Sequence, residues 1–261
     1  MDVEKFQHEI LDWYKKNKRD LPWRKTRDPY KILVSEIMLQ QTQVSRVIPK
    51  YEAWLSSLPT VETLSQAKKE DILRLWSGLG YNRRALYLQK CAQAIVEIGK
   101  WPEIVEDLEK LPGVGPYTAR AIACFAFQQQ VAVVDANVRK VILLKFKKME
   151  LDNKELQIIA DQLLPIGRAY DWNQALMDYS NLVLQKEKVP TKKQSSFKDS
   201  NRYYRGKLMR LLLKQNNIPL QQVGLLLKDD YSANDKQWLD RLINRLAKDG
   251  LITRDEEKIR L

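Results

Sequence analysis

The sequence predicts an all-α fold: two helical subdomains followed by a small C-terminal winged-helix-like module. Three observations carry this expectation. Apolar residues recur at three- and four-residue spacing along most of the 261 residues. The only β-like run before the C-terminal end, Val131-Ala132-Val133-Val134, is short and isolated and reads as a buried connector. Composition shifts near residue 185, and the stretch from Lys186 to Lys214 carries ten Lys or Arg and two acids.

The elements follow in order. Asp28 is placed to cap a helix that Pro29 opens. On one helical wheel Glu36 shares its face with Ile32, Leu33, Leu39 and Val47, and with Gln40 and Gln43. That segment is apolar almost all round and is expected to be buried. Helical periodicity continues from Val61 to Trp76 and from Arg84 to Ile98. Between them Gly78-Leu79-Gly80-Tyr81 reads as an exposed turn with an aromatic tip, followed by Asn82-Arg83-Arg84. Ile104, Val105, Leu108 and Leu111 mark one helix, and Ala119, Ile122, Ala123 and Ala126 mark another. Leu111-Pro112-Gly113-Val114-Gly115 joins the two as a tight hairpin. Helical patterns return over Ala136 to Phe146, Leu156 to Leu164 and Trp172 to Leu184. Val189 to Ser200 has little apolar content and reads as linker. Leu208 to Leu213, Leu220 to Leu227 and Asp235 to Lys248 form three helices. Leu251-Ile252-Thr253 and Lys258-Ile259-Arg260-Leu261 close the chain as a hairpin. The expected divisions are residues 1–185, with a six-helix part over 28–134 and a second part from 1–27 and 135–185. A basic linker (186–200) and the winged-helix-like module (201–261) follow.

Lys and Arg number 45 and Asp and Glu 33, a net charge of +12, which favours a polyanionic partner over a merely basic solvated surface. One histidine, His8, and two cysteines, Cys91 and Cys124, argue against a His-based triad, a Cys/His zinc site and a four-cysteine cluster within this chain. No run approaches the roughly 20 apolar residues needed to cross a bilayer. The N-terminal Asp2, Glu4, Lys5, His8 and Glu9 lack a signal peptide's apolar stretch, so a cytoplasmic monomer is expected.

Carboxylates, Tyr, Ser, Lys and Arg are left to carry any chemistry. The Gly-x-Gly hairpin at a helix start is an anion-binding device. Its backbone can approach a phosphate, and N–H groups point at it. Glu36, on a buried helix, is either a carboxyl raised into the range of a general acid or one bonded to a neighbouring Arg or helix end. Asp135 caps the helix at Ala136, acts as a second carboxylate beside the hairpin, or does both. Two carboxylates facing one substrate suit glycosidic cleavage: one protonates the leaving group and the other stabilises the oxocarbenium ion. Tyr81 is either a wedge for a base stack or an ordinary core tyrosine.

Five motifs in a fixed order resemble the helix–hairpin–helix DNA glycosylases of the endonuclease III superfamily, and within them the MutY type of adenine-DNA glycosylase. They are Leu21-Pro22-Trp23-Arg24, Ser35-Glu36-Ile37-Met38-Leu39-Gln40-Gln41-Thr42-Gln43-Val44, Trp76-Ser77-Gly78-Leu79-Gly80-Tyr81, the 111–115 hairpin and Val134-Asp135-Ala136-Asn137-Val138. The resemblance implies that Glu36 protonates adenine N7 and that Asp135 stabilises or traps the sugar cation. It places Tyr117 and Asn137 around the sugar and Arg19, Leu21, Trp23 and Arg24 around the flipped base. Gln41 and Tyr81 would enter the duplex, and Gly113, Val114 and Gly115 would grip phosphate, in the family often with a monovalent cation. Strand-cutting members carry a Lys where this chain has Tyr117, which implies a monofunctional enzyme on double-stranded DNA with mispaired or oxidised bases.

Two departures accompany the resemblance. The family's four-cysteine iron–sulfur loop is replaced by Gln185-Lys186-Glu187-Lys188-Val189-Pro190, so no cluster is expected. Lys192, Lys193 and Lys198 are expected to take over its phosphate contacts. Residues 201–261 are too few for the Nudix-like domain that checks for 8-oxoguanine in many MutY proteins. Two rivals stay open: a thymine or uracil glycosylase acting on G mismatches, and a DNA protein that senses lesions without cutting. The Gln40-Gln41-Thr42-Gln43 run and Glu36 favour adenine, because N7 protonation is a purine mechanism.

Overall fold

The computed structural model describes residues 2–147, 151–190 and 196–261. Its helices, in chain order, are α1 (Val3–Asn17), α2 (Pro29–Leu39), α3 (Val44–Ser57), α4 (Val61–Gln66), α5 (Lys69–Trp76), α6 (Arg83–Ile98) and α7 (Val105–Leu108). Then come α8 (Pro116–Phe125), α9 (Ala136–Lys145), α10 (Asn153–Gln162), α11 (Ala169–Leu182), α12 (Asn201–Gln215), α13 (Leu220–Leu227) and α14 (Lys236–Lys248). Strands β1 (Asn217–Pro219), β2 (Thr253–Arg254) and β3 (Lys258–Arg260) form an antiparallel sheet in the order β1-β3-β2. The described residues bear out an all-α fold with a small C-terminal module containing a few strands.

Two compact units share the chain. One comprises residues 1–40 and 98–192, the other residues 41–97 and 193–261. This grouping differs from the sequence expectation, which divided the chain at 134/135 and set residues 201–261 apart. Residues 201–261 share an apolar core with the α5 residue Leu73 and pack Leu86 of α6 against it, so the module does not stand alone.

In the first unit α1 lies on α11, α11 on α9, and α2 on α8. Phe6, Ile10, Tyr14, Val141, Ile142, Trp172 and Leu176 fill the core, with Phe6 and Trp172 edge-to-face at 5.7 Å. Helix α2 forms as its cap predicts: the Asp28 carboxylate accepts the Tyr30 N–H at 2.9 Å and Pro29 occupies the first turn. It does not reach Gln43. It stops at Leu39, Gln41 adopts a left-handed backbone (φ 55°), and Val47 lies in the separate helix α3. The single long wheel expected around Glu36 is therefore two helices, with the Gln-rich run as the turn between them.

In the second unit the expected Val61-to-Trp76 helix is broken at Ala67 and Lys68 into α4 and α5. A reciprocal Thr60–Thr63 capping box starts α4. Trp54 and Trp76 meet edge-to-face at 5.6 Å. Leu208, Leu212, Ile218, Val223, Leu242, Ile243, Leu246 and Ile259 close the C-terminal core. Helix α12 extends well beyond the expected Leu208-to-Leu213 segment, and the expected two-stranded hairpin gains β1 as a third strand.

Candidate active site

The site is assembled in the first unit, where α2, α8, α9 and α11 come together. Helix α2 buries Tyr30 and every residue from Ile32 to Met38, Glu36 among them at 6% exposure. A carboxyl in that setting loses its hydration, which penalises the charged form. Burial, and then the charge of Asp135, push Glu36 up to about 7. The hydroxyl of Tyr117, in the first turn of α8, donates to Glu36 Oε2 at 2.7 Å, and Arg24 adds a weaker attraction; both pull the other way. The same burial and the neighbouring carboxylates raise Tyr117 well above an ordinary phenol, so its proton stays on it at neutral pH.

Asp135 caps α9. Its Oδ1 accepts the backbone N–H groups of Asn137 at 2.9 Å and Val138 at 2.7 Å, and its Oδ2 accepts the Asn137 amide at 2.6 Å. Burial raises its carboxyl, while these three donors and Arg19 draw it back towards the ionised form. The helix start that Asp135 satisfies also fixes its carboxylate in place. Asn181 of α11 donates to Asn137 Oδ1 at 3.0 Å and holds the amide that contacts Asp135. Two carboxyls in one environment with unequal donor sets split in acidity. Glu36 has a single hydroxyl partner, whereas Asp135 has three N–H partners that oppose the effect of its burial.

Behind them lies an ion-pair cluster. Asp178, fully buried on α11, accepts Arg19 Nε at 2.5 Å, the Arg19 backbone N–H at 3.0 Å, and both terminal nitrogens of Arg24 at 2.7 and 2.9 Å. Burial pulls this carboxyl upward, but the Arg24 and Arg19 bonds overcome it and hold it below the usual carboxylate range. Arg19 and Arg24 are therefore anchored on Asp178, with Leu21 and Trp23 buried between them around the 3-10 turn Pro22–Arg24. Their charges reach Asp135 and Glu36 respectively. Asp178 and Asn181 are the residues that sequence reasoning missed. The signal for Asp178 was the one that marked Glu36, an acid on the buried stripe of an apolar helix.

The hairpin takes the expected form in part. Helix α7 is a single turn, Leu111 lies beyond it, and the Val114 N–H closes a turn on the Leu111 carbonyl at 3.1 Å. Gly113 has φ +79°, which a side chain resists, and it is exposed. Val114 is buried and anchors the turn. Gly115 is the exposed N-cap of α8, has no side-chain cap, and precedes Pro116. The first N–H groups of a helix have no carbonyl partner within it, so this end can receive an acceptor.

Glu36, Tyr117, Asp135, Asn137, Arg19, Leu21, Trp23, Arg24 and the hairpin all belong to the first unit. Gln41, Tyr81 and Lys198 belong to the second, where all three are exposed. Gln41 and Tyr81 both sit at left-handed turn positions. Lys192 and Lys193 lie outside the described residues. Cys91 and Cys124 are buried thiols, and among the described residues no group of three His, Cys, Asp or Glu is placed to hold a metal ion.

Residues 34–161 match the family model of the HhH-GPD superfamily of base excision DNA repair proteins. An adenine DNA glycosylase of Mycolicibacterium smegmatis is 34% identical over 94% of this chain and 91% of its own length. That of Rattus norvegicus is 43% identical over 70% of this chain, which spans only 38% of the rat protein. Among solved structures, a thermostable thymine-DNA glycosylase superposes with a TM-score of 0.67 at 33% identity, covering 72% of this chain and 89% of that one.

Proposed function

Because the chain belongs to the HhH-GPD superfamily of base excision DNA repair proteins, we propose that it removes adenine mispaired with 8-oxoguanine or guanine by hydrolysing its N-glycosidic bond. The observation that carries this reading is Glu36, a buried carboxyl raised to about 7 and bonded through one oxygen to Tyr117. The likeness to adenine DNA glycosylases along nearly the whole chain supports it.

The chemistry follows from the donor pattern. An adenine extruded from the duplex would present N7 to the protonated carboxyl. Tyr117 engages Oε2, which leaves Oε1 to carry the transferable proton. Proton transfer to N7 makes the base a better leaving group, and the C1′–N9 bonding pair departs with the base. The sugar cation left behind faces the Asp135 carboxylate, held in place by three N–H donors. Water then adds to C1′ and releases a proton, giving an abasic site. Tyr117 carries no amine, so no Schiff base forms there and the strand stays intact. The exposed hairpin at Gly113 and Gly115 would hold the backbone by its N–H groups. With two cysteines, the chain cannot itself supply the four cysteine ligands of such an iron–sulfur cluster, and we assign it no cofactor. It would act as a monomer on duplex DNA.

A second reading, excision of thymine, is favoured by the likeness to the thymine-DNA glycosylase. One experiment separates the two: single-turnover excision on duplexes with A opposite 8-oxoguanine, A opposite G, T opposite G and U opposite G, with alkali to reveal abasic sites. Release of adenine alone, abolished by Glu36→Gln with duplex affinity retained, is the expected result. Release of thymine or uracil instead would remove N7 protonation from the role of Glu36. Tight binding with no release from any duplex would leave a lesion sensor.

A further inference from the structure

The turn carrying Tyr81 is strained, exposed and gripped from both sides. Tyr81 has φ +47° and is 47% exposed. A non-glycine residue in that region is strained and persists only where its surroundings over-determine it. Within the turn, Trp76 Nε1 and Arg84 Nη2 both donate to the Gly80 carbonyl at 3.0 Å, the Arg84 N–H donates to the Tyr81 carbonyl at 2.9 Å, and the Arg84 guanidinium lies 5.7 Å from the Tyr81 ring centre. Further restraint comes from the C-terminal module. On the α5 side Leu73 is part of the module's core, and Arg74 donates to the Leu213 carbonyl at 2.8 Å and to Asn216 at 3.2 Å. On the α6 side Leu86 packs on the same core and Arg83 pairs with Asp249 at 3.4 Å. Asp249 is in turn held by Arg205 at 2.5 Å. At the tip, Arg202 Nη1 of α12 lies 3.4 Å from the Tyr81 hydroxyl. Beside it, the exposed Phe197 ring stands edge-on to Tyr203 at 5.8 Å.

We propose that the C-terminal module is a splint for the Tyr81 turn, and that Arg202 is a positioning residue that aims the Tyr81 ring into duplex DNA. The proposal rests on the reading above only in taking duplex DNA as the ligand. Three features support it. An aromatic ring half out of solvent with a guanidinium on its hydroxyl is oriented rather than free. The arms on both sides of the turn end on one rigid core. The rim of that core is basic and aromatic, the combination that follows phosphates and stacks bases. A winged module serving only to fill space would need no bond to the hydroxyl of an exposed tyrosine.

The test is a double-mutant cycle on the full chain. Tyr81→Ala, Arg202→Ala and the double variant are titrated against a duplex carrying a stable tetrahydrofuran abasic site. A 2-aminopurine in the opposite strand reports unstacking. Each single variant is expected to lose about tenfold in affinity, the scale of one stacked base, and the double variant to lose no more than either alone. The fluorescence rise seen with the unmodified protein should vanish in all three. Independent, multiplicative losses would overturn the proposal. So would a salt slope shallower by about 0.9 with the fluorescence rise intact, since that is the mark of a plain phosphate contact. If Arg202→Ala fails to melt cooperatively, Arg202→Lys serves. It keeps the charge without the planar fork, and it should keep the slope and lose the coupling. Adenine excision measured on the same proteins keeps the two readings apart. Coupling without excision sinks the function proposed above and leaves the splint standing. Excision without coupling does the reverse.

Discussion

At Glu36 the proposed acid role and the fold favour the same form, because burial stabilises the protonated, uncharged carboxyl. Its acidity in an unfolded chain is ordinary, near 4.5, and in the folded protein it lies at about 7. Below the lower value both states are protonated, and burial costs little. As pH rises through the higher value the folded state has to ionise a buried group, and the stability is lost. Glu36→Gln should therefore melt higher than the unmodified protein at pH 8, by an amount equivalent to about 1–3 kcal/mol, and show little difference at pH 4.5. Excision by the unmodified protein should fall as pH rises through about 7, measured as single-turnover rates between pH 5.5 and 8.5; a flat profile would remove Glu36 as the acid. Asp178 has the opposite sign, with its acidity strengthened by Arg24 and Arg19, so its contribution is present at neutral pH and fades on acidification. Asp178→Ala strands two guanidinium groups and should cost about 3–5 kcal/mol by chemical denaturation. Both candidate carboxyls were legible in the sequence, Glu36 from an acid on an apolar helix and Asp135 from its cap position. The identity of their neighbours was not. Asp178 lies 159 residues from Arg19, and no local pattern records that pairing.

Elements were legible where one face is apolar and a cap marks the end. Helix α2 began where Asp28 and Pro29 placed it. Its end was misplaced, since the Gln-rich run continues the helical spacing and only the left-handed backbone at Gln41 breaks it. The α4–α5 break failed in the same way: Leu64, Ile72 and Trp76 stay in register across a two-residue interruption. Helix α12 was underestimated because its first two turns are basic and bury only Tyr204, so tertiary packing rather than pattern completes it. Helix α1 becomes evident only beside its partner α11. The hairpin was the clearest of all, because a positive φ at an exposed site has few solutions. Gly113→Ala should destabilise the turn by about 1–2 kcal/mol, the cost of a left-handed alanine. Duplex affinity should drop far more than the melting temperature suggests. Equal affinity in a filter-binding titration would show that the hairpin N–H groups do not hold backbone.

At the scale of the whole molecule the chain is interleaved. Each compact unit is made from two stretches far apart in sequence, with boundaries at 40/41, 97/98 and 192/193, and the first two were invisible because composition does not change there. The shift near residue 185 marks the third approximately. Leu73 makes the consequence measurable: it is buried in a core otherwise built from residues beyond 200. Leu73→Ala should cost about 2–5 kcal/mol. Hydrogen exchange should then speed up in α12 and α14 as well as in α5, whereas loosening confined to α5 would make the C-terminal residues a domain of their own. The same interleaving has a bearing on biosynthesis. Helices α3 to α6 leave the ribosome long before the residues that complete their core, a wait of roughly 5–20 s at ~5–20 residues per second. During that interval Leu73 and Leu86 have nothing to cover them. A nascent chain stalled between residues 97 and 193 would be an early target for chaperones and for self-association.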